Sequence, residues 1–222
     1  MRLDCWIVWN IGDQLIRLNQ RMSSIESFVE SLKLQQNTST VSNPYLSDDL
    51  AANLQCYLEA MMSVAGKRVL LVGEAPGFKG CKLTGIPFSS GKMIKDSNHR
   101  LFRSIKKELT ISEIDSENTA TMVWEYLARK RTIPLFWNSF PFHPHPENNL
   151  HKNRAPNKNE IATGVSYLQN LAEIFQPERI AGIGHAGTRC ATLAFPDREI
   201  AYIRHPSYGG KSDFVKGMNK LL

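Results

Sequence analysis

Short apolar runs alternate along this chain with longer segments whose apolar positions recur every three or four residues. Four runs have the apolar character of buried parallel strands: 68–72, 132–137, 179–183 and 200–203. Helical spacing predicts helices at 23–34, 46–64, 98–108, 117–129, 157–175 and 186–194. Because strands and helices alternate, we predict an α/β three-layer sandwich, in which helices flank a central four-stranded parallel sheet.

The length of 222 residues is sufficient for one large core, so we predict a single domain over 1–222. Residues 1–45 are expected to form a helical lead-in that ends in a polar loop from Gln35 to Pro44. No run approaches the ~20 apolar residues of a membrane span, and the first residues lack the length and flanks of a signal peptide.

The formal net charge of +6 favours a polyanionic partner such as nucleic acid. Six basic side chains between residues 92 and 107 are opposed there only by Asp96: Lys92, Lys95, Arg100, Arg103, Lys106 and Lys107. A solvated helix face is the alternative interpretation of this run. The four cysteines show no C-x-x-C spacing, which predicts no metal site or disulfide framework and fits a reducing cytoplasm.

Each predicted strand is followed by residues suited to chemistry: Gly73-Glu74, Asn138, Gly184-His185 and His205. Ligands in parallel sheets bind beyond the carboxyl ends of the strands, so these residues are candidates for one site. The turn Gly73-Glu74-Ala75-Pro76-Gly77 places a carboxylate near Phe88, whose ring is suited to stacking on a flat base. A plain structural turn is the alternative.

Two further strand ends carry groups that suit a base-binding pocket. The Asn138 amide offers one acceptor and one donor, which match N3–H and O4 of uracil, whereas cytosine presents the opposite polarity. The imidazole of His205 can stabilise a developing oxyanion, and Ser207 can hold a phosphate. A turn-forming Asn and an idle loop His are the simpler interpretations.

Taken in order, these motifs resemble those of the uracil-DNA glycosylase superfamily. They are most similar to the branch with Gly-Glu-Ala-Pro-Gly, Gly-x-Pro-Phe, a strand-end Asn, Asn-Arg-x-Pro, Glu and His-Pro. Here those motifs stand at 73–77, 85–88, 138, 153–156, 160 and 205–207. The resemblance covers residues 68–209 and leaves residues 1–45 outside it.

The resemblance implies hydrolysis of the N-glycosidic bond of a base flipped out of DNA, with uracil or a deaminated base as substrate. Phe88 would stack on the base, Asn138 would read its edge and His205 would stabilise charge on the leaving uracil. Gly73, Ala75, Pro76 and Gly77 would shape the pocket. We further expect DNA contacts from Ser90, Ser207, Tyr208 and Lys211, and a monomeric protein.

Departures from the family pattern set further expectations. The similar branch carries an iron–sulfur cluster held by cysteines, but Phe142 and Gly164 occupy two of the ligand positions, so we predict no cofactor. Ala75 stands where well-known members have a water-positioning Asp, which leaves Glu74 as the candidate for water activation. Gly77 replaces a Tyr that excludes the thymine methyl group, so the substrate range is expected to extend beyond uracil.

Other interpretations of particular motifs stay open. The sequence from Gly182 to Gly187 fits the dinucleotide pattern G-x-G-x-x-G, although a tight strand-to-helix turn explains it equally. His143, His145 and His151 are possible metal ligands, with an extended surface loop as the favoured alternative. Cys81 is a possible nucleophile without an evident base. A glycosylase-fold protein that binds DNA without catalysis is the main rival for the whole chain.

Overall fold

The computed structural model describes residue 20 and residues 22–222. The predicted lead-in over 1–45 therefore lies partly outside the described residues. The described elements are α1 (22–33), β1 (Val41–Ser42), a 3₁₀ turn (Pro44–Leu46), α2 (Asp48–Met62), β2 (Val69–Gly73), α3 (Cys81–Thr84), α4 (Gly91–Asp96), α5 (Arg100–Ile105), α6 (Asn118–Leu127), β3 (Leu135–Asn138), β4 (His143–Pro144), α7 (Lys158–Phe175), β5 (Arg179–Ile183), α8 (Gly184–Ala194), β6 (Ile200–Ile203) and α9 (Lys211–Leu221).

Four parallel strands form the central sheet in the order β3-β2-β5-β6, which confirms the predicted fold class. Strand β3 begins at Leu135 instead of Thr132. Pro134 has no backbone N–H to donate to a neighbouring strand, so the pairing of β3 with β2 begins only after it. The chain runs from β2 to β3 on one side of β2 and then crosses back through α7 to β5 on its other side, so a crevice is expected beyond the carboxyl end of β2.

Helices cover both faces of the sheet because neighbouring strand residues point to opposite sides. Trp137 packs against Phe28 of α1, which also contacts Tyr167 of α7. Phe136 faces the other way and packs against Trp124 of α6. Helix α8 lies against β2, β5 and β6, and α9 lies against β6. No described helix has both the length and the apolar character required to cross a membrane.

The predicted polar loop from Gln35 to Pro44 contains structure that the pattern did not reveal. Val41 and Ser42 pair in antiparallel register with Pro144 and His143 to form a second, two-stranded sheet. This small sheet buries the His143-Pro144-His145 segment, with both histidines fully buried. The prediction that this segment is an extended surface loop is therefore wrong, because β1 supplies the partner that a proline-flanked strand needs.

Candidate active site

A cavity of about 1010 Å³ opens beyond the carboxyl ends of β2, β3 and β6. Three predicted parts of the site meet there: the first loop (Gly73–Gly77), the strand-end Asn138, and the His205 loop (His205–Gly209). The amino end of α6 forms a further wall. The fourth strand end does not take part. His185 instead contacts the ring of Tyr202, at 5.3 Å between ring centroids.

The first loop is fixed by hydrogen bonds from the segment that follows β3. Ser139 donates to the Gly73 carbonyl from both its backbone N–H, at 2.9 Å, and its hydroxyl, at 2.6 Å. The backbone N–H of Phe140 donates to the Glu74 carbonyl at 3.1 Å. His143 Nδ1 lies 2.8 Å from the Pro76 carbonyl oxygen. The loop is thus held in one geometry before any ligand arrives.

Gly73 makes room for the ring of Phe88. A Cβ atom on Gly73 would lie 2.4 Å from the end of that ring, which is too close for any side chain larger than glycine. Phe88 has a positive φ of 55°, and its carbonyl accepts a hydrogen bond from Trp124 Nε1 at 2.8 Å. Phe88 lines the cavity whereas Gly73 does not, so Gly73 shapes the pocket by admitting the ring.

Asn138 presents an amide to the cavity from the last position of β3. It pairs in register with Gly73 and is only 4 % exposed. The side-chain amide lines the cavity and makes no hydrogen bond to another described residue, although a buried amide normally makes one. Its donor and acceptor are therefore available for a ligand.

The His205 ring is held in one tautomer. Its Nδ1 accepts a hydrogen bond from the backbone N–H of Ser207 at 3.2 Å, so in the neutral ring the proton is carried on Nε2. Burial lowers the pKa of His205; Glu117 opposes this and Arg204 adds to it. The neutral imidazole lines the cavity, and its Nε2–H has no hydrogen-bond partner among the described residues.

Two carboxylates line the cavity. Burial raises the pKa of Glu74, the carboxylate expected from the first loop. The second is Glu117, which sequence reasoning assigned only to the start of a helix. Its oxygens accept hydrogen bonds from the backbone N–H groups of Thr119, at 2.9 Å, and Ala120, at 2.6 Å. Glu is an unusual N-cap residue, and its place at the start of a predicted helix is the one sequence signal that could have identified Glu117 as a candidate site residue.

The predicted DNA contacts divide into two groups. Ser207, Tyr208 and Lys211 line the cavity, and Tyr208 is 98 % exposed with a positive φ of 53°. Ser90 is fully buried, and its hydroxyl caps α4 by accepting from the Met93 N–H. The predicted contact of Ser90 with DNA is therefore not supported, because its hydroxyl is used inside the fold.

The Asn-Arg-x-Pro motif supports the first loop from outside. Asn153 Oδ1 accepts from the Phe78 N–H at 2.9 Å, next to the loop. Arg154 pairs with Glu160 through two hydrogen bonds, of 2.7 and 2.6 Å, and Glu160 also closes a capping box at the start of α7. Asn153 and Arg154 both line the cavity, although sequence reasoning gave them no role in the site.

The positions where the similar branch has cluster cysteines do not fit an iron–sulfur cluster. The Phe142 ring is fully buried between the rings of Phe140 and Tyr167. At Gly164 a Cβ atom would lie 1.6 Å from the Ser139 carbonyl oxygen, so helix α7 packs too closely here for a cysteine side chain. Aromatic packing and backbone contact fill the space that a cluster would need.

The candidate metal ligands and nucleophile have other roles in this structure. His143 directs both ring nitrogens at backbone carbonyls, those of Pro76 and Leu150. Within the described residues, no group of three or more His, Cys, Asp or Glu side chains is placed to hold a metal ion. Burial raises the pKa of Cys81 to about 12, which opposes formation of a thiolate nucleophile.

The glycines of the dinucleotide-like motif are explained by close packing. A Cβ atom on Gly182 would lie 2.1 Å from the Thr188 nitrogen, and one on Gly187 would lie 1.9 Å from the Val72 carbonyl oxygen. Neither glycine lines the cavity. The motif serves as a tight turn that brings α8 onto the sheet.

Comparison with known proteins bears on the family and the fold of the chain. The sequence model of the uracil DNA glycosylase superfamily matches residues 62–220. Among solved structures, wild-type SMUG2 of Pedobacter heparinus is similar in fold, with a TM-score of 0.63 and 13% sequence identity. The match covers 89% of this chain and 95% of that chain. No curated protein matches the sequence.

Proposed function

Because the chain belongs to the uracil DNA glycosylase superfamily, we propose that it is a DNA repair glycosylase that removes uracil or a related deaminated base flipped out of DNA. The observation that carries this proposal is the meeting of Phe88, Asn138 and His205 around one cavity. These side chains come from three separate parts of the chain. Each supplies a different function that base excision needs: stacking, recognition of the base edge, and stabilisation of the leaving group.

The base is recognised by stacking and by its edge. Stacking on Phe88 is worth about 1–3 kcal/mol, which offsets part of the few kcal/mol needed to flip a nucleotide out of the stack. The unpaired Asn138 amide accepts from uracil N3–H and donates to O4. Cytosine offers the opposite polarity at these two atoms and leaves the buried amide unsatisfied, which costs about 1–3 kcal/mol.

The leaving group is stabilised by His205. As the bond between C1′ and N1 breaks, its electron pair moves to uracil and negative charge develops on O2. The Nε2–H of neutral His205 donates to that oxygen. This donor is most useful in the transition state, where the charge is greatest, and such donors contribute about 10²–10³ in rate.

The sugar is left with cationic character, which a carboxylate stabilises. Glu74 carries this role, either through its charge or by accepting a proton from the water that attacks C1′. The new bond joins the water oxygen to C1′, and the base leaves as an anion that takes up a proton. Glu74 lines the same cavity as His205, so one site stabilises both the positive charge on the sugar and the negative charge on the leaving base.

A binding protein without catalysis is the second candidate function. Ala75 lines the cavity at the position where well-known members have the water-positioning Asp. If Glu74 does not replace that Asp, the site still binds a base and DNA but does not hydrolyse the bond.

The experiment that separates the two candidates uses excess protein and end-labelled oligonucleotides. Uracil, hypoxanthine and xanthine are each placed in single-stranded and double-stranded DNA, and abasic sites are cleaved with alkali after incubation. We expect cleavage with at least uracil. Retained DNA binding with no cleavage of any substrate would establish the binding protein instead.

Variants then test the assigned roles. Asn138→Ala is expected to reduce excision by at least tenfold, since a buried recognition group is lost. Glu74→Gln removes the charge but keeps the shape, and is expected to lower the single-turnover rate while DNA affinity is unchanged. Full activity of Glu74→Gln would remove Glu74 from the mechanism and leave the rest of the site as proposed.

A further inference from the structure

The cavity itself offers little positive charge for holding DNA. Its described lining residues include two carboxylates, Glu74 and Glu117. Of the Lys and Arg side chains among these lining residues, two already have acidic partners, which leaves Lys79: Lys211 pairs with Glu125 at 2.9 Å, and Arg154 pairs with Glu160. Non-specific DNA affinity comes almost entirely from cations that neutralise phosphates. Much of that charge must therefore lie elsewhere on the surface.

The positive charge of the chain is concentrated in two stretches, residues 92–107 and 129–131. In these two stretches together, the excess of basic over acidic residues is larger than the net charge of +6 of the whole chain. The rest of the chain therefore carries a net negative charge. The fold brings these stretches together. The Arg100 guanidinium donates a hydrogen bond to the Arg131 carbonyl, and the Phe102 ring of α5 packs on Trp124 of α6. We call this surface the basic flank.

The basic flank begins beside the cavity and extends away from it. The backbone N–H of Lys92 donates to the Asp115 carbonyl, next to Ser116, which lines the cavity. From there α4 contacts α6, and α5 contacts α6 through Phe102 and reaches Arg131 through Arg100. Helix α6 itself starts at the cavity wall and ends near residues 129–131. The flank thus leads from the rim of the site toward the other end of the sheet.

Most cations of the basic flank have no acidic partner. All six basic side chains between 92 and 107 are exposed, and of these only Lys92 forms an ion pair with a described residue, Asp96. In the described part of the chain, no ion pair involves five of the flank's cations: Arg103, Lys106, Lys107, Arg129 and Arg131. Unneutralised cations in a group attract a polyanion and gain entropy from counterion release.

We propose that the basic flank is a second DNA-binding surface, which holds the phosphate backbone outside the segment that enters the cavity. This inference extends the proposed function and relies on DNA being the substrate. A protein partner is disfavoured because protein interfaces have an apolar core. None of the large exposed apolar side chains of the described residues lies within 92–107 or 129–131.

The test compares two charge-matched variants of the full chain. The flank variant is Arg103→Gln, Lys106→Gln, Lys107→Gln. The control is Lys67→Gln, Lys158→Gln, Arg189→Gln, which also removes one Arg and two Lys, all exposed and without ion pairs in the described structure. Binding of undamaged 30-bp duplex is measured by fluorescence anisotropy from 50 to 200 mM salt. This readout does not depend on catalysis.

The flank variant is expected to bind undamaged duplex at least tenfold more weakly than the control at 50 mM salt. Its plot of log affinity against log salt should be less steep by about 2–3, because each phosphate contact contributes about 0.9 to the slope. Excision from a saturating single-stranded 11-mer should stay within twofold of the unmodified protein. If that protein excises no base, the proposed function fails while the binding comparison still tests the flank.

Duplex length identifies which DNA the flank holds. If it holds the same duplex, the greater affinity for 30 bp over 10 bp disappears in the flank variant. If it holds a second segment, the unmodified protein binds two 10-bp duplexes and the flank variant binds one. Equal losses in flank and control variants, or binding of polyglutamate as tight as that of DNA, would overturn the proposal.

Discussion

The two loops that form the site differ in how they are held. The first loop has its carbonyl groups fixed by Ser139, Phe140 and His143 from neighbouring segments. The hydrogen bonds of the His205 loop are mainly internal: Ser207 N–H to His205 Nδ1, and Gly210 N–H to the Ser207 carbonyl. The first loop is therefore held by neighbouring segments. The His205 loop carries its imidazole and the exposed Tyr208 on a turn that is held mainly by its own hydrogen bonds.

This difference separates two tasks. The first loop must keep the Phe88 ring in place, so an atom added at Gly73, which lies against that ring, should destabilise the fold. The His205 loop must present a hydrogen-bond donor to the base and a side chain to the DNA, so changes there should affect activity more than stability. Four predictions test this division, in order of decreasing expected effect.

The largest effect is expected from His205→Ala. Loss of the Nε2–H donor should lower the single-turnover excision rate by about 10²–10³, as for other oxyanion donors. The melting temperature should change by only a few degrees, because the loop contributes little to the packing of the core. His185→Ala is the matched control, since this histidine lies outside the cavity lining, and it should keep full activity. Equal rates for the two variants would refute the site assignment.

Gly73→Ala should act through the fold as well as the site. The new methyl group would meet the Phe88 ring at about 2.4 Å and displace it, with an expected loss of about 1–3 kcal/mol in unfolding free energy. Excision should fall by at least tenfold because the stacking ring moves. Gly77→Ala is the control, since the nearest atom to its added Cβ is 3.7 Å away. Urea unfolding of the two variants provides the comparison.

Tyr208→Ala should affect substrates unequally. The side chain is fully available to DNA and positioned beside the cavity, where it can fill the gap left by a flipped base. We expect a loss of about five- to tenfold in excision from duplex DNA, since one base–aromatic stack is worth at least about 1 kcal/mol. Single strands, which have no vacated stack, should lose less. Equal losses on both would assign Tyr208 to general DNA binding.

The smallest expected effect is a pH dependence of stability. Burial lowers the pKa values of His99, His143 and His205 below the usual 6.5. The unfolded chain therefore binds more protons below pH 6.5, and stability is lost as the pH falls through that value. Glu74 has a raised pKa and opposes this only nearer its usual 4.5. The melting temperature should drop as the pH is lowered from 7.5 to 6.0. The drop should be smaller in the His205→Asn variant. A melting temperature that does not change over this range would contradict the lowered pKa values.

Local patterns revealed the main elements of the sheet and the groups at its carboxyl edge, but they missed several details. Helix α9 was not among the predicted helices. Its apolar spacing, with Phe214, Met218 and Leu221 buried on one face, was the available signal. The pairing of β1 with β4 had no such signal, since two residues on each side are too few to show periodicity.

The sequence by itself determined the parallel sheet and the order of the motifs, because these depend on short-range spacing and on the rule that parallel strands end at one edge. The candidate roles of Asn138 and His205 followed from their chemical groups at strand ends together with the family resemblance, and the candidate role of Glu74 followed from that resemblance. Only the tertiary structure decided that Ser90 is a buried cap, that His143 fixes the first loop, and that Glu117 lines the same cavity as His205. These facts depend on burial and on contacts between residues far apart in the chain, such as His143 and Pro76 at 67 positions, which no local pattern encodes.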